Sequence, residues 1–145
     1  MDILKIKTEK RLLGDYGERA ARRFLRRNGY RIVKKNFVAD SHEIDIIAKD
    51  KETLAFVEVK TRTIGKDNPN EPRPASAVTA EKQRGIIRAA GFYTAYNPIK
   101  LKKRFDIIEV YVNHINGRYS VAEIKHLKNT FNLNTAFNPT ERNKK

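Results

Sequence analysis

The chain contains no cysteine. Without cysteine there is no disulfide, no thiol nucleophile, no iron–sulfur cluster and no zinc site built on thiolates. Any metal must therefore be held by oxygen or imidazole ligands. A chain free of disulfides also fits the reducing cytoplasm, and we expect a cytoplasmic protein.

Long apolar runs are missing as well. No stretch approaches the 18 or more apolar residues of a membrane span, and the amino terminus, MDILKIKTEK, lacks the apolar stretch of a secretory signal. We therefore expect no membrane association. The length of 145 residues, 39% of them hydrophobic, matches one domain with one core. We place this domain at residues 1–128, followed by a polar tail over 129–145 from which Phe131, Leu133 and Phe137 could dock on the body.

Basic residues dominate what is present. The 31 Lys and Arg residues against 17 Asp and Glu give a net charge of +14 and a pI near 10.1, and such a field attracts polyanions. We expect a nucleic acid as the partner, DNA in preference to RNA. A solubilising surface, an anionic membrane surface or a ribosomal contact remain alternatives. The cations cluster over residues 19–27, at 34–35, over 100–104 and on a second helix. The candidate nucleic-acid contacts are therefore Arg22, Arg23, Lys82, Arg84 and Arg88, together with the polar Gln83 on the second helix.

Hydrophobic periodicity predicts an α/β fold. Leu12, Tyr16, Ala20 and Phe24 repeat at helical spacing, and this helix ends near Asn28-Gly29. Three strands follow with short connections: YRIVKKNFVA, EIDIIAKD and TLAFVEVKTR. Residues 63–78 carry one glycine and three prolines and are typical of a long exposed loop.

The second half of the chain continues the pattern. Thr79 is the predicted cap of a second helix that stops at Asn97-Pro98. RFDIIEVYVN and RYSVAEIKHL are two further strands, joined by a hairpin turn at Asn116-Gly117. The predicted order is α-β-β-β-α-β-β, which indicates a mixed central sheet flanked by helices.

Strand geometry brings charged residues together in this fold. Side chains of a strand alternate between its faces, so in EIDIIA we expect Glu43 and Asp45 on one face and Ile44 and Ile46 on the other. The next strand follows after a tight turn around Asp50-Lys51, so the two strands should be antiparallel neighbours.

The neighbouring strand supplies an acid and a lysine. In FVEVKT, Glu58 and Lys60 share one face, so they should meet Asp45 across the two strands. Charged groups inside apolar strands are costly unless other charges or a metal compensate them. Converging carboxylates make an all-oxygen site suited to Mg²⁺ or Mn²⁺. Such a metal would activate water for phosphodiester hydrolysis, and Lys60 would position that water or act as a fixed cation.

One pattern resembles the PD-(D/E)XK nuclease signature: an N-terminal helix is followed by Asp45 on one strand and by Glu58-x-Lys60 on the next. More closely, the blocks over residues 14–110 resemble the small bacterial proteins of uncharacterised protein family 0102, the YraN-like proteins. They are GDYGERAARRFLRRNGYRIVKKN, EIDIIAKD, FVEVKTR, AEKQRGIIRAAGFY and RFDIIEV. This resemblance implies a restriction-endonuclease-like core related to Holliday-junction resolvases.

The resemblance also implies roles for individual residues. Asp45 and Glu58 match metal ligands, and Lys60 matches the catalytic lysine. Glu18 matches an additional catalytic acid that resolvase-like members bring to the metal. Lys82 and Gln83 stand where relatives place a polar helix residue near the site. One departure is His42, which occupies a position where the family usually has glycine before Glu-Ile-Asp.

Several of these residues have plainer explanations. Glu18 could pair with Arg22 at i,i+4, and Glu43 with a neighbouring lysine, which makes Glu43 a weaker candidate. Asp106 is a further acid on a strand, and pairing with Arg104 explains it equally well. The three histidines show no ligand spacing and are expected to be solvated.

The expected function is metal-dependent endonuclease activity on DNA, with branched or structured DNA as the favoured substrate by resemblance. One alternative is a non-catalytic nucleic-acid-binding module that keeps the nuclease fold. Another is an RNA-processing or ribosome-associated factor. A homodimer is a candidate assembly, because resolvase-like relatives that make two cuts need two sites.

Overall fold

The structure, a computed structural model, describes residues 2–65 and 78–137. The predicted order of helix, three strands, helix and two strands is confirmed, and a short helix follows it. The elements are α1 (Ile3–Arg27), β1 (Arg31–Ala39), β2 (His42–Lys49), β3 (Thr53–Thr63), α2 (Ala80–Tyr96), β4 (Lys102–Ile115), β5 (Arg118–Phe131) and α3 (Leu133–Phe137).

The five strands form one mixed sheet in the order β1-β2-β3-β4-β5. The first three are antiparallel neighbours, β3 and β4 run parallel, and β4 and β5 are antiparallel. α2 lies between the two parallel strands in the chain, as a parallel connection requires. The predicted hairpin turn is confirmed, because Asn116 and Gly117 both have positive φ, 54° and 72°.

Each face of the sheet is covered by one long helix. Ala20, Ala21 and Leu25 of α1 pack on a cluster that includes Ile46 and Val57. On the other face, four buried side chains of α2 belong to a second apolar cluster, which also holds side chains of β2, β3, β4 and β5. The members of this cluster include Ile44, Ile47, Phe56, Ile86, Ala89, Ala90, Tyr93, Ile107 and Phe131. The sheet is therefore apolar on both faces, and a charged side chain within it needs a specific partner.

Helix α1 begins earlier than the hydrophobic pattern predicts. The pattern starts at Leu12, whereas the helix starts at Ile3, capped by the Asp2 carboxylate that accepts a hydrogen bond from the Leu4 amide at 3.0 Å. Its first turns are exposed, with Ile3 at 68% and Leu4 at 74%. Periodicity detects burial, so a capped but solvated stretch of helix gives no such signal.

The C-terminal region is more ordered than its composition indicates. The polar tail was placed from residue 129, but β5 continues to Phe131, which is 1% exposed. α3 then packs against α2, where Arg84 donates to the Ala136 carbonyl at 2.8 Å. Leu133 and Phe137 stay largely exposed, at 61% and 47%. Residues 138–145, and most of the predicted loop over 63–78, lie outside the described residues.

Within the described ranges, no helix is both long enough and apolar enough to span a membrane.

One close approach fixes α1 against the sheet. A methyl group on Gly17 would overlap the side chain of Thr61 in β3, whereas one on Gly14 would meet nothing within 4 Å. Helix and strand thus touch through a residue without a side chain. Because Glu18 follows directly, the contact at Gly17 sets how deeply that carboxylate reaches toward the sheet.

We therefore expect Gly17→Ala to destabilise the protein by about 1–3 kcal/mol, because the new methyl group forces helix and strand apart. Gly14→Ala is the matched control in the same helix and should stabilise by up to about 1 kcal/mol through helix propensity. Urea denaturation of both variants provides the measurement. Equal effects of the two substitutions would contradict the close approach.

Candidate functional site

The site lies where β2 and β3 separate. Their antiparallel pairing runs from Lys49–Leu54 to Ile46–Val57 and ends there. Beyond that point the backbone amide of Val59 donates to the carboxylate of Asp45 at 2.8 Å. A side chain of β2 thus takes the place of a backbone carbonyl, and the two strands form a fork with Asp45 inside it.

The alternation of side chains along β2 breaks at the same residue. Ile44 belongs to the apolar cluster under α2, whereas Ile46 belongs to the cluster under α1. The prediction that both isoleucines share a face is therefore wrong. On the opposite strand, Asn36 has a left-handed backbone with φ 51°, and the pair Asn36–Asp45 is missing from the β1–β2 ladder. The ladder is interrupted at this pair, although the register is the same on both sides of it.

Three carboxylates converge beside the fork. Oxygens of Glu18, Glu43 and Asp45 all lie within 4.8 Å of one another. The Asn36 side-chain amide holds two of them, because its nitrogen donates to Glu18 Oε1 at 2.9 Å and to Glu43 Oε1 at 3.1 Å. Glu43, the weaker candidate by sequence, is therefore part of the group. Sequence reasoning missed Asn36; its signal was an asparagine, a poor strand former, in the middle of a predicted strand.

A fourth carboxylate, Glu58, is placed by β3 on the other side of Asp45. It is only 6% exposed. Its Oε1 lies 3.7 Å from Lys60 Nζ and 4.0 Å from Lys82 Nζ, so strand and helix α2 each supply one cation. Its Oε2 is buried and has no hydrogen-bond partner among the described residues. A buried oxygen without a partner is costly. The Glu58 carboxyl also interacts with those of Asp45 and Glu18.

The carboxyl groups repel one another and are partly removed from water. Burial, followed by the nearby Glu58 carboxylate, raises the pKa of Asp45 to about 7, although the Val59 amide opposes that shift. Burial also raises the pKa of Glu58, against the effect of Lys82 and Lys60. The pKa of Glu18 is raised by burial and then by Asp45. All three groups therefore resist ionisation without a further positive charge.

A divalent cation fits this arrangement. The donor set is all oxygen, as Mg²⁺ and Mn²⁺ prefer. The Oε2 atom of Glu58 has no partner among the described residues. Burial raises the pKa of both Asp45 and Glu58 despite the two lysines, and a bound cation would oppose that shift. Glu18, Asp45 and Glu58, the predicted ligands, are brought together around the fork, and Glu43 joins them.

The same region of the chain is the part shared with known proteins. The sequence pattern described as "Uncharacterised protein family UPF0102" matches residues 17–110. The chain belongs to this family. It is similar to the UPF0102 protein of Chlorobium phaeobacteroides, with 43% identity over 82% of this chain and 93% of the relative. It is also similar to the UPF0102 protein of Caldanaerobacter subterraneus, with 40% identity over 86% and 98%. The match thus includes all four acids and both lysines.

His42 stands where the resemblance implied a glycine, and it fits its position. Its Nδ1 lies 2.7 Å from the Asp40 carbonyl, and its ring packs against α2 where Gly85 has no side chain. Asp40 and Ser41 take up the turn instead, with positive φ of 52° and 62°. The turn before Glu43 is therefore formed without a glycine at this position.

Two predicted nucleic-acid contacts have other roles. Gln83 is 2% exposed, donates to the Val78 carbonyl at 3.0 Å and accepts from Thr135 at 2.8 Å. Its amide is used inside the protein, so it is a packing residue in place of the predicted surface contact. Arg84 is similarly occupied, because it binds the Ala136 carbonyl. Both side chains bind α3. The hydrophobic periodicity of the sequence did not predict that helix.

The other predicted contacts stay accessible. Lys82 has a side chain that is 44% exposed although it reaches Glu58. Arg23 and Arg88 are exposed, and Arg22 is partly buried beside Glu18. Arg22 and Arg23 point to different flanks of α1: Arg22 lines a groove with β1, and Arg23 lines a cleft with β5.

Asp106 is a structural acid. It is fully buried, and Arg104 binds both of its oxygens at 2.8 Å. His126 Nε2 lies 2.8 Å from Oδ2, and the Asn129 amide donates to Oδ1 at 2.9 Å. Burial alone would raise the pKa of Asp106, yet these hydrogen bonds hold it below its usual value. The pairing explanation is confirmed, and the expectation of a solvated His126 is wrong, because its side chain is only 8% exposed.

We expect Asp45→Asn to stabilise the metal-free protein at pH 8 by about 1–3 kcal/mol, because asparagine removes a carboxylate that ionises unfavourably. The folded state of the wild type holds a proton that the unfolded state has lost, so its stability falls as the pH rises from about 4 to about 7. Mg²⁺ should restore the stability of the wild type and leave the variant unchanged. Thermal unfolding in EDTA and in Mg²⁺ at several pH values tests this. A variant less stable than the wild type in EDTA would contradict it.

Asp106→Asn should behave in the opposite way. It leaves the Arg104 guanidinium without its counter-charge and should destabilise by about 2–4 kcal/mol at pH 7. Since the pKa of Asp106 is lowered by folding, this loss should shrink as the pH falls below about 4. Urea denaturation measures it, with exposed Glu123→Gln as a control expected within about 0.5 kcal/mol of the wild type. A destabilisation no larger than that of the control would show that the network is dispensable.

Proposed function

We propose that this UPF0102 protein is a metal-dependent nuclease that hydrolyses phosphodiester bonds in DNA. The observation that carries the proposal is the buried carboxylate of Glu58. Its Oε2 has no hydrogen-bond partner among the described residues, and its Oε1 lies within 4.0 Å of Lys60 Nζ and Lys82 Nζ. The grouped carboxylates of Glu18, Glu43 and Asp45 include its neighbour Asp45. A salt-bridge cluster built for stability would leave no such oxygen, as the fully bonded Asp106 illustrates.

Glu18, Asp45 and Glu58 would hold Mg²⁺ or Mn²⁺, with Glu43 completing the group. The bound metal would lower the pKa of a water molecule and neutralise charge on the phosphate. The Val59 amide and the Asn36 side chain keep the carboxylates in place by hydrogen bonds. These contacts preorganise the oxygens before any ligand arrives.

Lys60 and Lys82 supply the remaining positive charge. The side chain of Lys60 is 31% exposed, so its ammonium contacts Glu58 and still reaches solvent, where a water molecule and the scissile phosphate would lie. In that position it orients the water and stabilises charge that develops on the phosphate oxygens. Lys82, on the other face of the sheet, binds the phosphate backbone at the entrance of the site.

DNA is the proposed substrate class, and a branched or flapped form is favoured by resemblance to junction resolvases. The net charge of +14 supports a polyanion. Backbone contacts would then supply most of the affinity.

The test is cleavage of labelled single-stranded, duplex, flapped and four-way-junction DNAs and a structured RNA in Mg²⁺ or Mn²⁺. We expect cutting of at least one DNA that EDTA stops, and a loss of about 10²–10⁴-fold in Asp45→Asn and Lys60→Ala. Lys103→Gln and Glu123→Gln are charge-matched controls outside the site and should cut like the wild type.

Cutting that persists in both site variants would point to a contaminating nuclease. Binding of these substrates without any cutting, equal in the wild type and Lys60→Ala, would favour the non-catalytic binding module. Preference for the structured RNA would favour the RNA-processing alternative.

A further inference from the structure

The arginines of α1 are sorted onto two flanks of the helix. Arg19, Arg22 and Arg26 recur at intervals of three and four residues, so they lie on one side. Arg23 and Arg27 lie on the other, above a cleft shared with β5. In sequence the five residues form a single basic run, and only the packing of α1 across the sheet separates them.

The first flank forms one wall of a groove, and β1 forms the other. The groove has a volume of about 540 Å³ and is lined by Arg19, Arg22, Arg26, Ile32, Val33, Lys34 and Lys35. Among the residues that the structure describes, no carboxylate lies within 4.0 Å of a charged nitrogen of these five cations. Apart from the longer-range interaction of Glu18 with Arg22, the described residues therefore leave the positive charge of this groove without a direct counter-charge.

Both walls lead to the acid cluster. On α1, Glu18 precedes Arg19 and stands one helical turn before Arg22. On β1, Lys35 is followed by Asn36, whose side chain binds Glu18 and Glu43. The groove therefore ends at the carboxylates instead of at an unrelated part of the surface.

We propose that this groove, the α1–β1 groove, holds the backbone phosphates of the nucleic-acid strand that enters the acid cluster. The inference rests on the proposed function and adds the path of the substrate. From Arg19 to Arg26 the helix rises about 10 Å, which corresponds to about two or three phosphates. Cations on both walls contact phosphates, and the partly buried Ile32 and Val33 form an apolar floor against the sugars.

The cations of the α1–β1 groove would also offset the repulsion between the carboxylates of the site and the phosphates of the substrate. Four carboxylates repel a phosphodiester, and Lys60 and Lys82 are occupied in part by Glu58. A row of cations next to the carboxylates raises the local concentration of the substrate and fixes its direction. Specificity for a base sequence is not expected, since the contacts are to the backbone.

The experiment measures binding in the full chain carrying Lys60→Ala, so that no substrate is cut. The groove variant adds Arg19→Gln, Arg26→Gln and Lys34→Gln; Arg22 is left intact because it neighbours Glu18. The control variant adds Lys103→Gln, Arg118→Gln and Lys128→Gln, which remove the same charge from exposed positions on β4 and β5. Labelled duplex DNA, a four-way junction and duplex RNA serve as probes over 50–200 mM salt.

We expect the groove variant to bind DNA at least about tenfold more weakly than its parent, with a salt slope reduced by about two to three, because three phosphate contacts are lost. The control should weaken binding by less than about threefold. Thermal unfolding checks that both variants fold like the parent.

Equal weakening by the two variants would overturn the groove and leave only a general effect of net charge. Groove-dependent binding of RNA that exceeds DNA would keep the groove and assign it an RNA backbone. Because binding is measured apart from cutting, groove-dependent binding in a wild type that cuts nothing would refute the nuclease and not the groove.

Discussion

The hydrogen bond from the Val59 amide to the Asp45 carboxylate is the contact on which the site depends. It ends the β2–β3 ladder at Ile46–Val57 and satisfies a backbone donor that would otherwise lose its partner. Separation of the strands leaves the Asp45 carboxylate between them. Burial of the apolar side chains keeps α1 and α2 on opposite faces of the sheet. The Asp45 carboxylate nevertheless interacts electrostatically with Glu18 of α1 and with Lys82 of α2. An unbroken sheet would keep these groups apart.

The carboxyl groups at the fork between β2 and β3 are electrostatically unfavourable when ionised. Three of these groups have raised pKa values because burial and mutual repulsion oppose their ionisation. Below neutral pH a proton on Asp45 reduces this repulsion. The divalent cation of the proposed function would reduce it at higher pH, so the same carboxylates would destabilise the metal-free protein and favour the ion, as is usual when a preorganised site costs stability. The Gly17 contact and the Asn36 amide keep the acids from moving apart to relieve the repulsion.

Much of the fold and of the candidate site was predictable from the sequence, and each wrong or missing prediction has a physical cause. The order of the helices and strands, and the proximity of Asp45 to Glu58, were predictable from hydrophobic periods of two and 3.6 residues, because these periods reflect which side chains are buried. The pattern gave no sign of the solvated start of α1 or of α3, because neither presents a regular buried stripe. Glu43 was the weaker candidate because pairing with a neighbouring lysine explains a lone acid on a strand equally well. Its actual partner, the side chain of Asn36, lies on another strand and is not visible in the alternation of β2. Gln83 and Arg84 were read as surface groups because their partners, Thr135 and Ala136, lie about fifty positions away in a segment without periodicity.

Asp106 and Glu58 show how an acid of the candidate site differs from a structural acid in the same sheet. Both lie on central strands and both are buried. Asp106 has an arginine, a histidine and an amide on its two oxygens, and its pKa is lowered. Glu58 has two lysines at 3.7 and 4.0 Å from one oxygen and no hydrogen bond from a described residue to the other, and its pKa is raised. Both residues are acids on central strands, so the difference lies in how many hydrogen bonds and ion pairs each carboxylate makes. The Glu58 carboxylate also lies near Asp45 and Glu18, and a cation is the ligand that the proposed function assigns to it.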